Sequence, residues 1–325
     1  MKVSKLQDSK RYYPFAQHLK EIFGEKVCKI TVDAGFTCPN RDGKVGKGGC
    51  IYCSEGSHYL PSQYRNLSVS EQLTSSIARI RNKFNINKFI AYFQAYSNTY
   101  SPISNLKKLY DEALSVDGII GLSIGTRADC LPDKTLDLLQ GYAEKTYLWL
   151  EIGLQSIHNR TLKIINRGHT FEQFLDTVER ARGRGFKICT HVILGLPGES
   201  SNDMMKTAKA VGESGIDGIK LHHLHILKGT PLEKIYLNKE FNLLDENTYV
   251  NLVCDFLEYL PHDIIIQRLV GDAPNDRLIA PLWSLSKADI IKAIDKKMER
   301  RESYQGIKVS KHQSIRASKQ KTLTL

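Results

Sequence analysis

The 325-residue sequence predicts an α/β fold: a partial (β/α)6 TIM-like barrel with short N- and C-terminal extensions. Three observations predict it. Six β-branched apolar runs recur along the chain, a helix-type segment separates each run from the next, and cysteine, arginine and histidine clusters follow directly on the runs. Strand, helix, strand in repetition requires parallel strands joined by right-handed crossovers.

The strand-type runs are 29–33, 89–94, 119–125, 147–153, 188–195 and 219–227. Between them, Ser68 and Glu71 stand at capping-box spacing and open a helix towards Phe84, while Asp133, Thr170 and Ser201 begin others. A further apolar run, 264–270, leads into Gly271-Asp272-Ala273-Pro274 and then a charged helix over 286–301. The simplest division is an N-terminal extension (1–24), a barrel core (25–285), a C-terminal helix (286–302) and a basic tail (303–325). From Ser303 onward there are five basic residues, no acidic ones and few large apolar groups, so this tail is expected to be disordered when unbound.

A hydrophobic content of 41% suffices for a large core. Met1 to Lys10 hold no apolar export segment, and no stretch of eighteen apolar residues follows, so a cytoplasmic protein with no membrane partner is expected. Seven cysteines are odd in number and too unevenly placed for a disulfide framework: three fall within sixteen positions, and Cys28, Cys130, Cys189 and Cys254 are scattered. Clustered thiolates in a reducing compartment suit metal binding. The net charge of +11 is concentrated at the end, where residues 286–325 hold eleven Lys/Arg against four Asp/Glu. Such a segment can attract a polyanion or merely keep the chain soluble.

Directly after the first run comes Asp33-Ala34-Gly35-Phe36-Thr37-Cys38-Pro39-Asn40-Arg41-Asp42-Gly43, then Gly46, Gly48 and Gly49, then Cys50-Ile51-Tyr52-Cys53. In a β/α barrel the loop after a strand lies on the functional face, so three soft ligands stand at the mouth. Three thiolates can hold three irons of a cubane and leave the fourth iron open to another ligand. The alternative is structural zinc on these thiolates plus His58, although only Cys50 and Cys53 form the tight pair usual in zinc sites.

At these residues the chain resembles the radical S-adenosylmethionine (SAM) superfamily, in the branch of the Elongator catalytic subunit and oxygen-independent coproporphyrinogen oxidase, and within it the bacterial YhcC/YtqA-type family. The spacing is C-x11-C-x2-C instead of the superfamily's usual C-x3-C-x2-C, an expansion that Elongator-like members share. The resemblance covers roughly residues 25–285 and implies a barrel of radical SAM type, with a [4Fe-4S] cluster on Cys38, Cys50 and Cys53 and S-adenosylmethionine as second cofactor. It implies Tyr52 against the adenine, and Ala95, Tyr96, Ser97 and Asn98 where a glycine-rich segment receives the methionine ammonium group. Thr126 falls in a segment similar to the Glu-Thr-Arg-Pro-Asp of Elongator-like enzymes, with Gly125 in place of a ribose-binding glutamate. Gln155 is implied at the ribose and Arg167 at the methionine carboxylate, against the plainer reading of Glu151 and Arg167 as a structural ion pair. Ile193 and Gly195 belong to the adenine-contacting strand, and His191 stands where the coproporphyrinogen enzymes have an acidic residue.

On the substrate side, Lys220-Leu221-His222-His223-Leu224-His225 places His223 and His225 on one face of a strand by period-two alternation, which makes them the catalytic candidates if that face points inward. Gln267, Arg268 and Asp272 are further candidates, and Cys130 reads as a buried thiol. The reaction expected is reductive cleavage of S-adenosylmethionine to a 5′-deoxyadenosyl radical, with an electron donor such as flavodoxin or ferredoxin. The resemblance and the basic terminus favour tRNA as substrate, through a wobble-uridine modification. A small-metabolite substrate and a non-enzymatic zinc or redox-sensing RNA-binding protein stand as alternatives.

Overall fold

A computed structural model describes residues 10–54 and 66–309. The six expected runs become consecutive parallel strands: β1 (Val27–Val32), β2 (Lys88–Phe93), β3 (Ile119–Thr126), β4 (Tyr147–Gln155), β5 (Lys187–Leu194) and β6 (Gly218–His223). The sixth is shorter than its sequence suggests. After His223 the chain turns, Leu224 N donates to Leu194 O at 3.2 Å, and a two-residue strand β7 (Ile226–Leu227) leaves the sheet. The run 264–270 supplies a seventh parallel strand, β8 (Ile265–Arg268), beside β6, while β9 (Leu278–Ala280) pairs antiparallel with β7. The result is a curled half-barrel in the order β1-β2-β3-β4-β5-β6-β8.

Amphipathic helices cover its outer face. α1 is Phe15–Phe23; α2 (Val69–Phe84) opens on the Ser68–Glu71 capping box, whose reciprocal bonds satisfy amides that the first turn leaves without partners. α3 (Ile103–Leu114), α4 (Asp133–Ala143), the short α5 (Asn159–Ile164), α6 (Phe171–Ala181) and α7 (Ser201–Glu213) follow. Thr170 and Ser200 cap α6 and α7 in the same reciprocal way. α8 (Pro231–Leu237) and α9 (Glu246–Tyr259) make the crossover to β8, with α9 buried on several faces because α10 (Lys287–Arg300) lies over it. Among the described residues, no helix is long and apolar enough to cross a membrane.

The two chain extensions close what the sheet leaves open. α1 lies across the bottom of the barrel, where Phe15 and His18 meet Trp149 edge-on at 5.6 and 6.2 Å between ring centroids. Just before it, Tyr13 O accepts from Ile266 N at 2.8 Å, covering the β8 edge. Residues 303–309, expected to be disordered, are packed instead: Ser303 and Gln305 are buried. The Gln305 amide accepts from Tyr13 N at 2.9 Å and donates to Pro261 O and Ile264 O at 2.6 and 2.8 Å. The reason is that this short polar stretch satisfies backbone groups that apolar residues could not. The rest of the tail, 310–325, lies outside the described residues.

Gln305→Ala strands one buried N–H and two carbonyls. It is expected to lower stability by about 1–3 kcal/mol, read as a lower urea midpoint at unchanged m-value.

Candidate active site

The loop after β1 carries Cys38, Cys50 and Cys53, and its turns are set by its own backbone. Arg41 N and Asp42 N both donate to Cys38 O, at 2.8 and 3.2 Å, and Cys53 N donates to Cys50 O at 2.9 Å. The loop is fastened to the segment after α5. Ile51 N donates to Ile165 O, Asn40 Nδ2 to Asn166 O at 2.6 Å, and Asn166 Nδ2 to Gly49 O at 2.7 Å. Gly46 and Gly168 leave the room this fastening needs, since a Cβ on either would lie within 2.8 Å of Asn40 Oδ1.

Three side-chain donors reach the thiols. Arg167 Nη1 lies 3.6 Å and Asn40 Nδ2 3.7 Å from Cys50 Sγ, and Arg41 Nη1 lies 3.6 Å from Cys53 Sγ. Burial, then the neighbouring Cys50, pushes the Cys53 thiol up to about 11. Sulfur so crowded takes on thiolate character when metal cations are bound. A single tetrahedral ion with Zn–S near 2.3 Å would need thiols about 3.8 Å apart. These three do not all come within 4.8 Å of one another, because the one such His/Cys/Asp/Glu set among the described residues is Glu151, Cys189 and His191. The spread suits a multi-iron cluster better than one ion; His58, the fourth ligand of the zinc alternative, lies outside the described residues.

Beside the loop, the inner faces of the strands and the bend after β6 enclose a chamber of about 200 Å³, lined by Tyr52, Tyr92, Gln94, Gln155, His191, Ile193, Lys220, His222, His223, His225 and Arg268 among others. Glu151, fully buried, sits at its floor. Its carboxylate takes Lys29 Nζ and Ser123 Oγ on Oε1, both at 2.5 Å, and Lys220 Nζ and His191 Nε2 on Oε2, the last at 2.7 Å. Burial alone would push this carboxyl up, but the Lys220 and Lys29 ammonium groups and the His191 bond hold it well below the usual range. Burial draws the Lys220 ammonium down to about 7, partly offset by Glu151. Since an ionised carboxylate only accepts, His191 carries its proton on Nε2 and presents Nδ1 as a lone pair.

The chain and its fold have counterparts among known proteins. The Radical SAM superfamily model matches residues 38–211, and the Radical_SAM C-terminal domain model matches 216–300. The chain belongs to the radical SAM superfamily. This radical SAM enzyme is 44% identical over 297 residues to YtqA of Bacillus subtilis, an alignment that spans 91% of this chain and 92% of that one. It is 23% identical over 185 residues to the tRNA uridine(34) acetyltransferase of Methanocaldococcus infernus, covering 56% of this chain and 34% of the relative. Among solved structures, Methanocaldococcus infernus Elp3 with an N-terminal deletion superposes with a TM-score of 0.68 at 18% identity, over 86% of this chain and 64% of that chain. Superfamily members generally use a [4Fe-4S] cluster and S-adenosylmethionine.

In this radical SAM enzyme, Tyr52, Gln155, His191 and Ile193 line the chamber. Gln155 does so from a β-bulge with φ +82°, and a Cβ on Gly153 would lie 2.7 Å from Arg167 Nη2 and 2.9 Å from Gln155 Nε2. Arg167 donates to Gly153 O at 2.5 Å and does not pair with Glu151, whose ammonium partners are Lys29 and Lys220. The ion pair considered from sequence is therefore replaced by another. Ala95 and Ser97 are buried after β2, and Ser97 N donates to Thr37 O beside Cys38. The Asn98 amide donates to Phe93 O and Gly125 O, and Tyr96 holds φ +63°. Thr126 Oγ1 lies 2.6 Å from Thr99 Oγ1, engaged within the protein, and Gly195 faces Leu244, which a Cβ would touch at 2.9 Å.

The two histidines singled out from sequence, His223 and His225, both border the chamber. Glu151 binds Lys220, so Lys220 and His222 share the face of β6 that meets this carboxylate. The His222 ring is 5.6 Å from that of His191 inside the chamber. The His223 ring, at the end of β6, lies 4.1 Å from that of His225, 4.6 Å from Trp283 and 5.2 Å from Tyr249. His225 reaches the chamber wall from the bend beyond the strand, so the pair meets through that bend and not through strand alternation. Sequence reasoning also missed Lys29 and Lys220, single charges within apolar runs, which is the signal that could have marked them.

Burial holds His191 and His225 down to about 4, against an ordinary value of 6.5. The unfolded chain therefore binds more protons between pH 6.5 and 4, so stability is full above this window and is lost as pH falls through it. Urea unfolding across the window is expected to show this loss, and His225→Gln to flatten its slope.

Proposed function

We propose that Cys38, Cys50 and Cys53 hold one [4Fe-4S] cluster with an open iron, and that S-adenosylmethionine bound there is cleaved to act on a tRNA nucleotide in the chamber. When bound, the two cofactors together supply a 5′-deoxyadenosyl radical able to take a hydrogen atom from unactivated carbon. The observation that carries the reading is three thiols on one loop, fastened beside a polar chamber in a chain of the radical SAM superfamily.

The chain's own residues bind, orient and exclude water. Arg167 offers a guanidinium to a carboxylate, Gln155 an amide that both donates and accepts, and Tyr52 and Ile193 an apolar face in a shared cluster suited to adenine. Residues 95–98 border the loop through the Ser97–Thr37 bond, which supports a role for their backbone at an ammonium group. His191, with Nε2–H fixed by Glu151, and His222 are the groups placed to exchange protons with a substrate.

For the substrate, a relative named for tRNA uridine 34 and a basic terminal segment support tRNA, with modification at the wobble uridine. The chamber is recessed within the half-barrel, so a target nucleotide must leave its stack to reach it. A small metabolite, the second reading, would enter the same recess.

Anaerobically reconstituted protein is expected to release deoxyadenosine on reduction. Cys38→Ala, Cys50→Ala or Cys53→Ala should each abolish both cluster and release, whereas Cys28→Ala and Cys254→Ala should keep them. His222→Ala should cut substrate conversion by roughly 10²-fold, the scale of a lost general acid or base, and His223→Ala should chiefly lower stability. Mass spectrometry of tRNA nucleosides from a deletion strain should show a lost modification; an unchanged profile would shift the assignment to the small metabolite.

A further inference from the structure

Two of the three thiols receive an arginine N–H, and only one of those arginines is accounted for by cofactor binding. Arg41 is the other, with Nη1 3.6 Å from Cys53 Sγ. Its position is built from three sides. The turn in which Arg41 N donates to Cys38 O starts the side chain next to the first cysteine. Gly49, at φ +82°, lets it lie back across the loop: a Cβ there would stand 3.0 Å from Arg41 Cγ and 3.1 Å from Nη1. On the far side the Tyr96 ring centroid lies 5.5 Å from Arg41 Cζ, a cation–π distance, and Tyr96 takes a left-handed φ of +63° at that point.

With the cluster assigned above, on which this inference rests, the charge balance is simple. A [4Fe-4S]²⁺ core with three thiolates carries a net charge of about −1, and one electron from a reductant takes it to about −2 with no proton transferred. A guanidinium at a ligand sulfur stabilises the more negative state. Hydrogen bonds to the sulfurs and nearby charge are the levers that set such potentials. We propose that Arg41, donating to Cys53 Sγ from a seat formed by Gly49 and Tyr96, raises the reduction potential of the cluster and so brings it within reach of its electron donor.

The test is a dithionite titration followed by EPR, without S-adenosylmethionine, on reconstituted full-length wild type and Arg41→Gln. The variant is expected to be harder to reduce: its oxidised-to-reduced ratio at a fixed potential rises about tenfold, equivalent to about 59 mV for one electron. An unchanged midpoint at wild-type iron and sulfide content overturns the proposal. Should Arg41→Gln hold no full cluster, Arg41→Lys decides, since it keeps the charge but gives up the planar N–H aimed at sulfur. A lowered midpoint there supports the assignment and an unchanged one overturns it. A wild type with no cluster signal overturns the cluster reading itself, a result distinct from a normal wild type beside an unshifted variant.

Discussion

The site depends on the fastening of the cysteine loop to the segment between α5 and α6. A glycine-rich loop is costly to order, because each glycine gives up more backbone freedom than other residues. Here that cost is met by the Asn40 amide donating to Asn166 O, the Asn166 amide donating to Gly49 O, a backbone bond from Ile51 N to Ile165 O, and the Arg167 guanidinium, which touches both Cys50 Sγ and Gly153 O. Arg127, almost fully buried, completes the arrangement by gripping Asp129 with two bonds and donating to Arg167 O at 2.8 Å. The loop after β1 is thereby referenced to β3 and β4, and the thiols stand in fixed relation to the chamber.

Below the thiols, the Glu151 cluster gives the half-barrel a polar floor. Buried ion pairs seldom add net stability, because desolvation consumes the attraction. What this one gives is definition: four strands deliver Lys29, Ser123, His191 and Lys220 onto a single carboxylate, which fixes their rotamers and the His191 tautomer. An apolar floor of the same volume could pack as well, but it would orient no proton-bearing group towards a substrate.

Much of this was legible in the sequence. Parallel β/α order followed from the run spacing, the helix starts from Ser68 and Thr170, with Ser201 one residue past the observed cap Ser200, and the placement of Cys38, Cys50 and Cys53 from the rule that loops after barrel strands face the site. Three features were not legible. The seventh strand was hidden because Ile265–Arg268 is short and reached through two helices rather than one. The phase of β6 was hidden because three histidines within four positions fit either face, whereas Lys220, which has a carboxylate to meet, sets it. The ordering of residues 303–309 depends on hydrogen bonds to Tyr13, Pro261 and Ile264, partners far away in sequence that no local composition reveals.

The central claim is that three thiols leave one iron corner open beside the chamber. The most direct measurement is the EPR spectrum of the dithionite-reduced, anaerobically reconstituted protein before and after S-adenosylmethionine is added. The account predicts a [4Fe-4S]⁺ signal whose g-values change on addition, as the open iron gains ligands. A signal that stays the same, or a protein that takes up zinc and no cubane, would contradict it.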